Sequence, residues 1–192
     1  MKSSVQSRPQ TIMQGILENL VQEGDCVIDG TVGNGHDTLF LAKLVGHTGS
    51  IHGFDIQAEA IAATQKRLED AGIMGDHIQL HHCSHDQIGE KVPGKIKAAV
   101  FNLGFLPGGD KSIITMTDST LPAIAQACEK CLPNGVISIM CYPGHAGGDK
   151  EALGVETFLS RLPHARWRVA KYQILNTSSP APFQICAFRL DD

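Results

Sequence analysis

No apolar run in this 192-residue chain approaches the roughly 20 residues that a helical membrane span requires. The first ten residues, Met1 to Gln10, lack the apolar centre of a secretion signal, so a cytoplasmic location and no membrane partner are expected. Net positive charge is missing too. Sixteen Lys and Arg stand against 20 Asp and Glu, a balance of −4 that excludes a generally basic nucleic-acid coat while leaving room for a local patch. Charged residues are few, at 19%, and hydrophobic residues reach 42%, which is a globular and not a disordered composition. The six cysteines (26, 83, 128, 131, 141 and 186) follow no disulfide framework; several fall inside predicted strands or helices, as reduced core thiols do. Cys128 and Cys131 form a C-x-x-C with no second pair nearby, which argues against zinc or redox work there. None of the nine histidines has ligand spacing to a carboxylate or Cys on one helical face, so no metal site is expected. No domain boundary or long low-complexity segment interrupts the chain, and residues 1–192 read as one domain with a substantial core.

What is present is an alternation of two periodicities. Ile12, Ile16, Leu17 and Leu20 make one apolar face over 9–22, closed by Glu23-Gly24-Asp25. Strands are predicted at 26–30, 50–56, Ile78–His82, Ile96–Asn102 and Val136–Tyr142. Helices are predicted at 36–45, 57–71, Thr117–Leu132 and Asp149–Leu162. In the third of these, Asp118 or Ser119 is the expected cap, and Pro122 is tolerable only in the first turn. The runs Arg166–Leu175 and Phe183–Leu190 alternate like an antiparallel pair. The expected fold is α/β: a Rossmann-like, seven-stranded, mostly parallel sheet with helices on both faces and a C-terminal antiparallel hairpin. Ligands of such sheets bind beyond the carboxyl ends of the strands, and that rule selects which loops matter.

The first of these is Val27-Ile28-Asp29-Gly30-Thr31-Val32-Gly33-Asn34-Gly35-His36-Asp37-Thr38, a buried strand, a glycine turn and a helix start. Asp55 ends the next apolar run, 20 positions after Gly35, where a doubly wound sheet puts the carboxylate that grips a ribose. Both NAD and S-adenosylmethionine suit this arrangement. The dinucleotide pattern wants a third glycine where Thr38 stands, and Asp29, four positions before Gly33, fits the methyl-donor version better. After strand four comes Asn102-Leu-Gly-Phe-Leu-Pro-Gly-Gly109. Its Asn can both accept from and donate to an acceptor amine, and Phe105 can stack on a base. After strand five, Tyr142 can orient or stack on the acceptor and His145 can take a proton near neutral pH. Ser84 or His85, past strand three, is the candidate for the adenine amine, because Cys83 occupies the position where many such enzymes carry an acid. Lys111 and Lys150, each ending a Gly-Gly-Asp-Lys, are candidate phosphate contacts, and Arg161, Arg166, Arg168 and Lys171 form the densest basic cluster.

With these residues in place the chain resembles a known family: the small class I S-adenosylmethionine-dependent methyltransferases of the rRNA methylase family, and within it the bacterial tRNA wobble-uridine enzymes. Four motifs carry the resemblance: Asp29–Thr38, Gly53-Phe-Asp-Ile-Gln57, Asn102–Lys111 and Tyr142-Pro-Gly-His-Ala-Gly-Gly148. Asn176-Thr-Ser-Ser-Pro-Ala-Pro182 departs from the family's Asn-x-x-Asn-x-Pro-Pro loop. The resemblance implies methylation of a 5-aminomethyl group on a (2-thio)uridine to 5-methylaminomethyl, on the anticodon region of tRNA, by a homodimer. It implies donor contacts from Asp29, Thr31, Gly33, Asn34, Gly35, His36, Asp37 and Thr38, then from Asp55, Gln57, Ser84, His85 and Asn102. Asp55 would hold the ribose, and Asp29 with the Gly33–Gly35 turn the amino-acid end. Asn102 and Tyr142 would orient the nucleophile, with His145 as first candidate for the base and Asp110 as second. Phe105, Gly108, Gly109, Lys111 and Lys150 would meet the RNA. Methylation of rRNA or another amine acceptor, a NAD-dependent oxidoreductase and a non-catalytic RNA-binding protein are the alternatives.

Overall fold

The structure is a computed structural model that describes residues 8–144, 147–177 and 180–191. Seven strands form one sheet: β1 (Cys26–Asp29), β2 (Ser50–Asp55), β3 (Ile78–His82), β4 (Ile96–Asn102), β5 (Cys131–Cys141), β6 (Trp167–Gln173) and β7 (Phe183–Arg189). Their order is β3-β2-β1-β4-β5-β7-β6. The first five run parallel, and β7 pairs antiparallel with both β5 and β6. The order reverses between β1 and β4, so the crevice of this sheet opens there, at its carboxyl edge. Register puts Asp29 beside Gly53 and Asp55 beside His82, while Asn102 closes β4 beside Met140, so the chemistry-bearing residues share one edge.

Strand periodicity divides the interior into two layers. Val27, Ile51, Ala98 and Val100 face one core with Leu17, Leu41, Val45 and Leu68, which come from α1 (Pro9–Leu20), α2 (His36–Val45) and α3 (Ala58–Asp70). Ile28, Ala99, Phe101, Ile137 and Ile139 face the other, against Ile88, Ile124, Val155 and Leu159 from α4 (Ile88–Lys91), α5 (Thr117–Lys130) and α6 (Gly148–Ser160). Neighbours in one strand thus enter opposite cores, as a sheet covered on both faces requires. Among the described residues no helix is long and apolar enough to cross a membrane.

Three local features differ from expectation. α5 begins at Thr117 with Met116 as a cap lacking a side-chain bond, so Pro122 lies in its second turn. The bond it forgoes would have used the carbonyl of exposed Asp118, which water can satisfy. β5 starts five residues early, at Cys131. A register shift against β4 lets Pro133, Asn134 (φ 57°) and Gly135 sit inside it, where turn-type residues hide a strand. A 3-10 turn at His85–Gln87 and the one-turn α4 were not expected, being too short to show a period.

Candidate active site

The glycine turn is held from three sides. At its root, Asp29 is fully buried; Thr38 Oγ1 donates to its Oδ2 at 2.6 Å and the Thr31 N–H to its Oδ1 at 3.2 Å. Burial, aided by the nearby charge of Asp37, pushes this carboxyl up to about 7. At its crest, the Gly33 N–H donates to Asp55 Oδ2 at 3.1 Å, and the other Asp55 oxygen accepts the Gln57 N–H at 3.0 Å. From outside, α3 clamps it: Thr64 Oγ1 donates to the Gly33 carbonyl at 3.1 Å, and Arg67 Nε to the Asn34 carbonyl at 2.6 Å. Gly35 has φ +78°, and a Cβ there would lie 2.8 Å from Thr64 Cα. Its glycine is needed for both conformation and space.

Above the turn lies a cavity of about 620 Å³. Thr31, Gly33, Asn34, His36 and Asp37 line it from the turn, Asp55 from the end of β2, Gln57 from the cap of α3, and Ser84 and His85 from beyond β3. Asn102, Phe105 and Tyr142 complete the far side. His85 Nδ1 donates to the Gly30 carbonyl at 3.0 Å, and its Nε2 is buried with no partner. Burial lowers the His85 pKa, so the ring is neutral and Nε2 carries a lone pair. Asn102 is fixed at two points: its N–H donates to Thr31 Oγ1 and its Nδ2 to Asp37 Oδ2, both at 2.7 Å. Burial, with the charge of Asp37 adding, raises the Tyr142 pKa, so the phenol keeps its proton. Phe105, Ile113, Met116 and Tyr142, all partly exposed, give this end an apolar rim.

Several residues of the expected site do not line the cavity. Asp29 and Thr38 are both fully buried and do not line the cavity; their hydrogen bond ties β1 to α2. Gly35 is spent on packing against α3. Asp110 is exposed and outside the cavity; the Ser112 N–H and hydroxyl hold its carboxyl below the usual range, which makes it a poor proton acceptor. Gly108, Gly109 and Lys111 are exposed on the same loop tip, with the Lys111 ammonium 5.8 Å from the Phe105 ring centre. Lys150 borders a separate hollow of about 70 Å³ at the start of α6. His145 lies outside the described residues. In the basic cluster, Lys171 pairs with Glu156 at 2.8 Å and Arg168 bonds the carbonyls of His164 and Trp167.

Other residues matter that motif reading passed over. Gln10, on α1, lines the cavity and donates from Nε2 to Asp37 Oδ1 at 3.3 Å. Glu151, 2% exposed on α6, accepts from Thr115 Oγ1 at 2.7 Å and Thr120 Oγ1 at 2.6 Å, while Thr115 Oγ1 accepts the Gly104 N–H. It anchors the 103–116 loop to the helix that follows the Tyr142 loop. Its signal was a charge on an apolar stripe, at i, i+4 and i+8 with Val155 and Leu159. Thr64 left the same trace between Ala60 and Leu68.

A nucleotide-sized hollow at a switch point is common to many doubly wound proteins, and likeness to known proteins narrows the class to methyltransferases. Residues 51–188 match the family described as "Putative rRNA methylase". The chain is 40% identical, over 186 residues, to a curated Arabidopsis thaliana protein named "tRNA (mnm(5)s(2)U34)-methyltransferase, chloroplastic", with 92% of this chain and 68% of that one covered. Among solved structures, a "putative rRNA-methylase" from Clostridium thermocellum is 35% identical with a TM-score of 0.92, covering 95% of this chain and 98% of its own. A "putative methyltransferase" from Streptococcus mutans, in complex with SAH, is also 35% identical, with a TM-score of 0.87 and the same coverage. The chain belongs to the rRNA methylase family of methyltransferases.

Proposed function

We propose that this protein transfers a methyl group from S-adenosylmethionine to the amine of a 5-aminomethyl-(2-thio)uridine at the wobble position of tRNA, giving 5-methylaminomethyl. The observation that carries this reading is the two-ended cavity: a nucleoside-binding end at Asp55 and His85, and an acceptor end at Asn102 whose exposed rim of Phe105, Met116 and Tyr142 suits a flat base. The name of the Arabidopsis relative and the SAH in the Streptococcus structure point the same way.

The residues present fit the donor. Asp55, its carboxylate fixed by two backbone N–H groups, would accept from the ribose hydroxyls. Ser84 and His85 border the end of the cavity where the adenine would lie. Asn34, His36 and Gln57 border the same end. Bound there, the sulfonium supplies an electrophilic methyl group. The remaining work is alignment, because the amine gains the charge that the sulfonium loses. Asn102 turns its NH₂ to Asp37, which leaves its carbonyl oxygen to orient the acceptor nitrogen, and Tyr142 closes the opposite side. His145 stands as the proposed base, with Lys111 and Lys150 as phosphate contacts on the anticodon arm.

A homodimer in the cytoplasm completes the proposal. Exposed Val169, Leu175 and Leu153 offer apolar surface near β6 and α6 for a second copy. Incubating the protein with labelled donor and separate tRNA and rRNA pools tests the acceptor: label in tRNA supports the reading, and label confined to rRNA reverses it. Calorimetry with S-adenosylmethionine and with NADH separates the oxidoreductase alternative.

A further inference from the structure

Between β4 and α5 the chain leaves the body of the molecule and returns. An antiparallel bridge between Phe105 and Ile114 pairs the two arms. Below it Gly104 and Thr115 bond each other twice: the Gly104 N–H donates to Thr115 Oγ1 and the Thr115 N–H to the Gly104 carbonyl, both at 2.8 Å. Thr115 Oγ1 in turn donates to buried Glu151, so this neck is fixed to α6. Beyond the neck, Phe105 and residues 107–113 are exposed. The Gly109 N–H donates to the Leu106 carbonyl at 2.9 Å and the Ile113 N–H to the Asp110 carbonyl at 3.2 Å, which folds 105–113 on itself. A segment with a fixed neck, internal turns and little buried surface can move as one piece.

Two contacts hold this segment against the glycine turn. Asn34 Nδ2 donates to the Pro107 carbonyl at 3.1 Å, from 73 positions away in sequence. A carbonyl only accepts, so the amide nitrogen is the atom that faces it. Leu106 lies over Gly33, where a Cβ would stand 3.6 Å from its Cδ1. The turn itself is held from α3, by Arg67 on the Asn34 carbonyl and Thr64 on the Gly33 carbonyl, so freedom to move belongs to the exposed segment. Gly33, Asn34, Leu106 and Pro107 all line the cavity, and the two contacts therefore join two of its walls. Resting on the methyltransferase reading above, we propose that residues 105–113 are a flap over the donor site and that Asn34 is its latch, a positioning residue that closes the flap on the glycine turn and releases it for the donor to enter and the spent donor to leave. A single exposed hydrogen bond suits a latch, because its net strength is small enough to be broken in every turnover.

The test times binding and release of radiolabelled SAH by the full chain, using rapid filtration. A latch joins two protein groups and acts whether or not the donor is bound. Breaking it raises the open fraction in both states, so both rate constants rise by a similar factor and the affinity moves by less than either. Loss of a direct donor contact would appear in dissociation, with association unchanged. Asn34→Ala is expected to speed association and dissociation together by about threefold to tenfold, the factor that one net hydrogen bond supports. Asn34→Gln, which keeps an amide, should recover part of the slow exchange. Leu106→Ala, which trims the packing over Gly33, should also speed both rates and keeps the test open if Asn34→Ala does not fold. Faster dissociation alone makes Asn34 a donor contact and overturns the proposal. Rates that match the wild type in Asn34→Ala and Leu106→Ala overturn it as well, and end this proposal alone. A wild type that binds no SAH ends the methyltransferase reading beneath it.

Discussion

Asp55 and Asn102 mark opposite ends of one cavity, and replacing each should separate donor from acceptor. Asp55→Ala removes the carboxylate fixed by the Gly33 and Gln57 N–H groups, and titration calorimetry should show donor affinity falling by about tenfold or more. Unchanged affinity would remove the ribose assignment. Asn102→Ala leaves the β4 backbone bond to Thr31 in place, so donor affinity should stay within about threefold while the single-turnover methylation rate drops by about a hundredfold. His52 offers a check on stability, away from the site. Its Nδ1 lies 3.2 Å from His81 Nε2 in a stacked pair, and burial, with His81 adding, lowers its pKa from 6.5 to about 4. Between those values the unfolded chain holds the extra proton, so this contribution is complete above pH 6.5 and is lost as pH falls toward 4. His52→Gln should therefore be less destabilising, relative to wild type, at pH 5 than at pH 7.5, by on the order of 1 kcal/mol in denaturant melts. An equal difference at both pH values would contradict a neutral, buried His52.

At the scale of elements, the site depends on helices gripping loops. Glu151→Ala strands the hydroxyls of Thr115 and Thr120 and frees the 103–116 loop from α6, and should cost about 1–3 kcal/mol in chemical denaturation. Its activity loss should appear in the acceptor KM more than in donor binding, since the loop it holds lines the acceptor end. Such clamps explain what could be read in advance. The strands and long helices were legible because alternate residues of β1 and β4 enter opposite cores and the helices carry stripes at 3.6 spacing. The glycine turn was legible because sequence-local chemistry builds it, and the position of Asp55 because it ends an apolar run, although its Gly33 partner lies 22 positions away. Asp29 shows where motif reading stops, since a buried carboxylate that organises a turn and one that touches a ligand look alike in a sequence. Gln10, Thr64 and Arg67 were missed because their partners lie 27, 31 and 33 positions away. No local pattern encodes that distance.

For the whole molecule, the doubly wound sheet brings five strand ends to one edge and puts β6 last in the sheet, with Val169 and Leu175 exposed where the proposed second copy would pack. Light scattering should give twice the mass of one chain, and the mass of a single chain at working concentration would remove the dimer. The central claim concerns the acceptor, and mass spectrometry of nucleosides meets it most directly. tRNA bearing 5-aminomethyl-2-thiouridine is incubated with the protein and methyl-labelled S-adenosylmethionine, then digested. The account predicts one labelled methyl on the aminomethyl nitrogen of the wobble uridine and loss of the unmethylated nucleoside. An unchanged wobble nucleoside, or label on any other nucleoside, would contradict it.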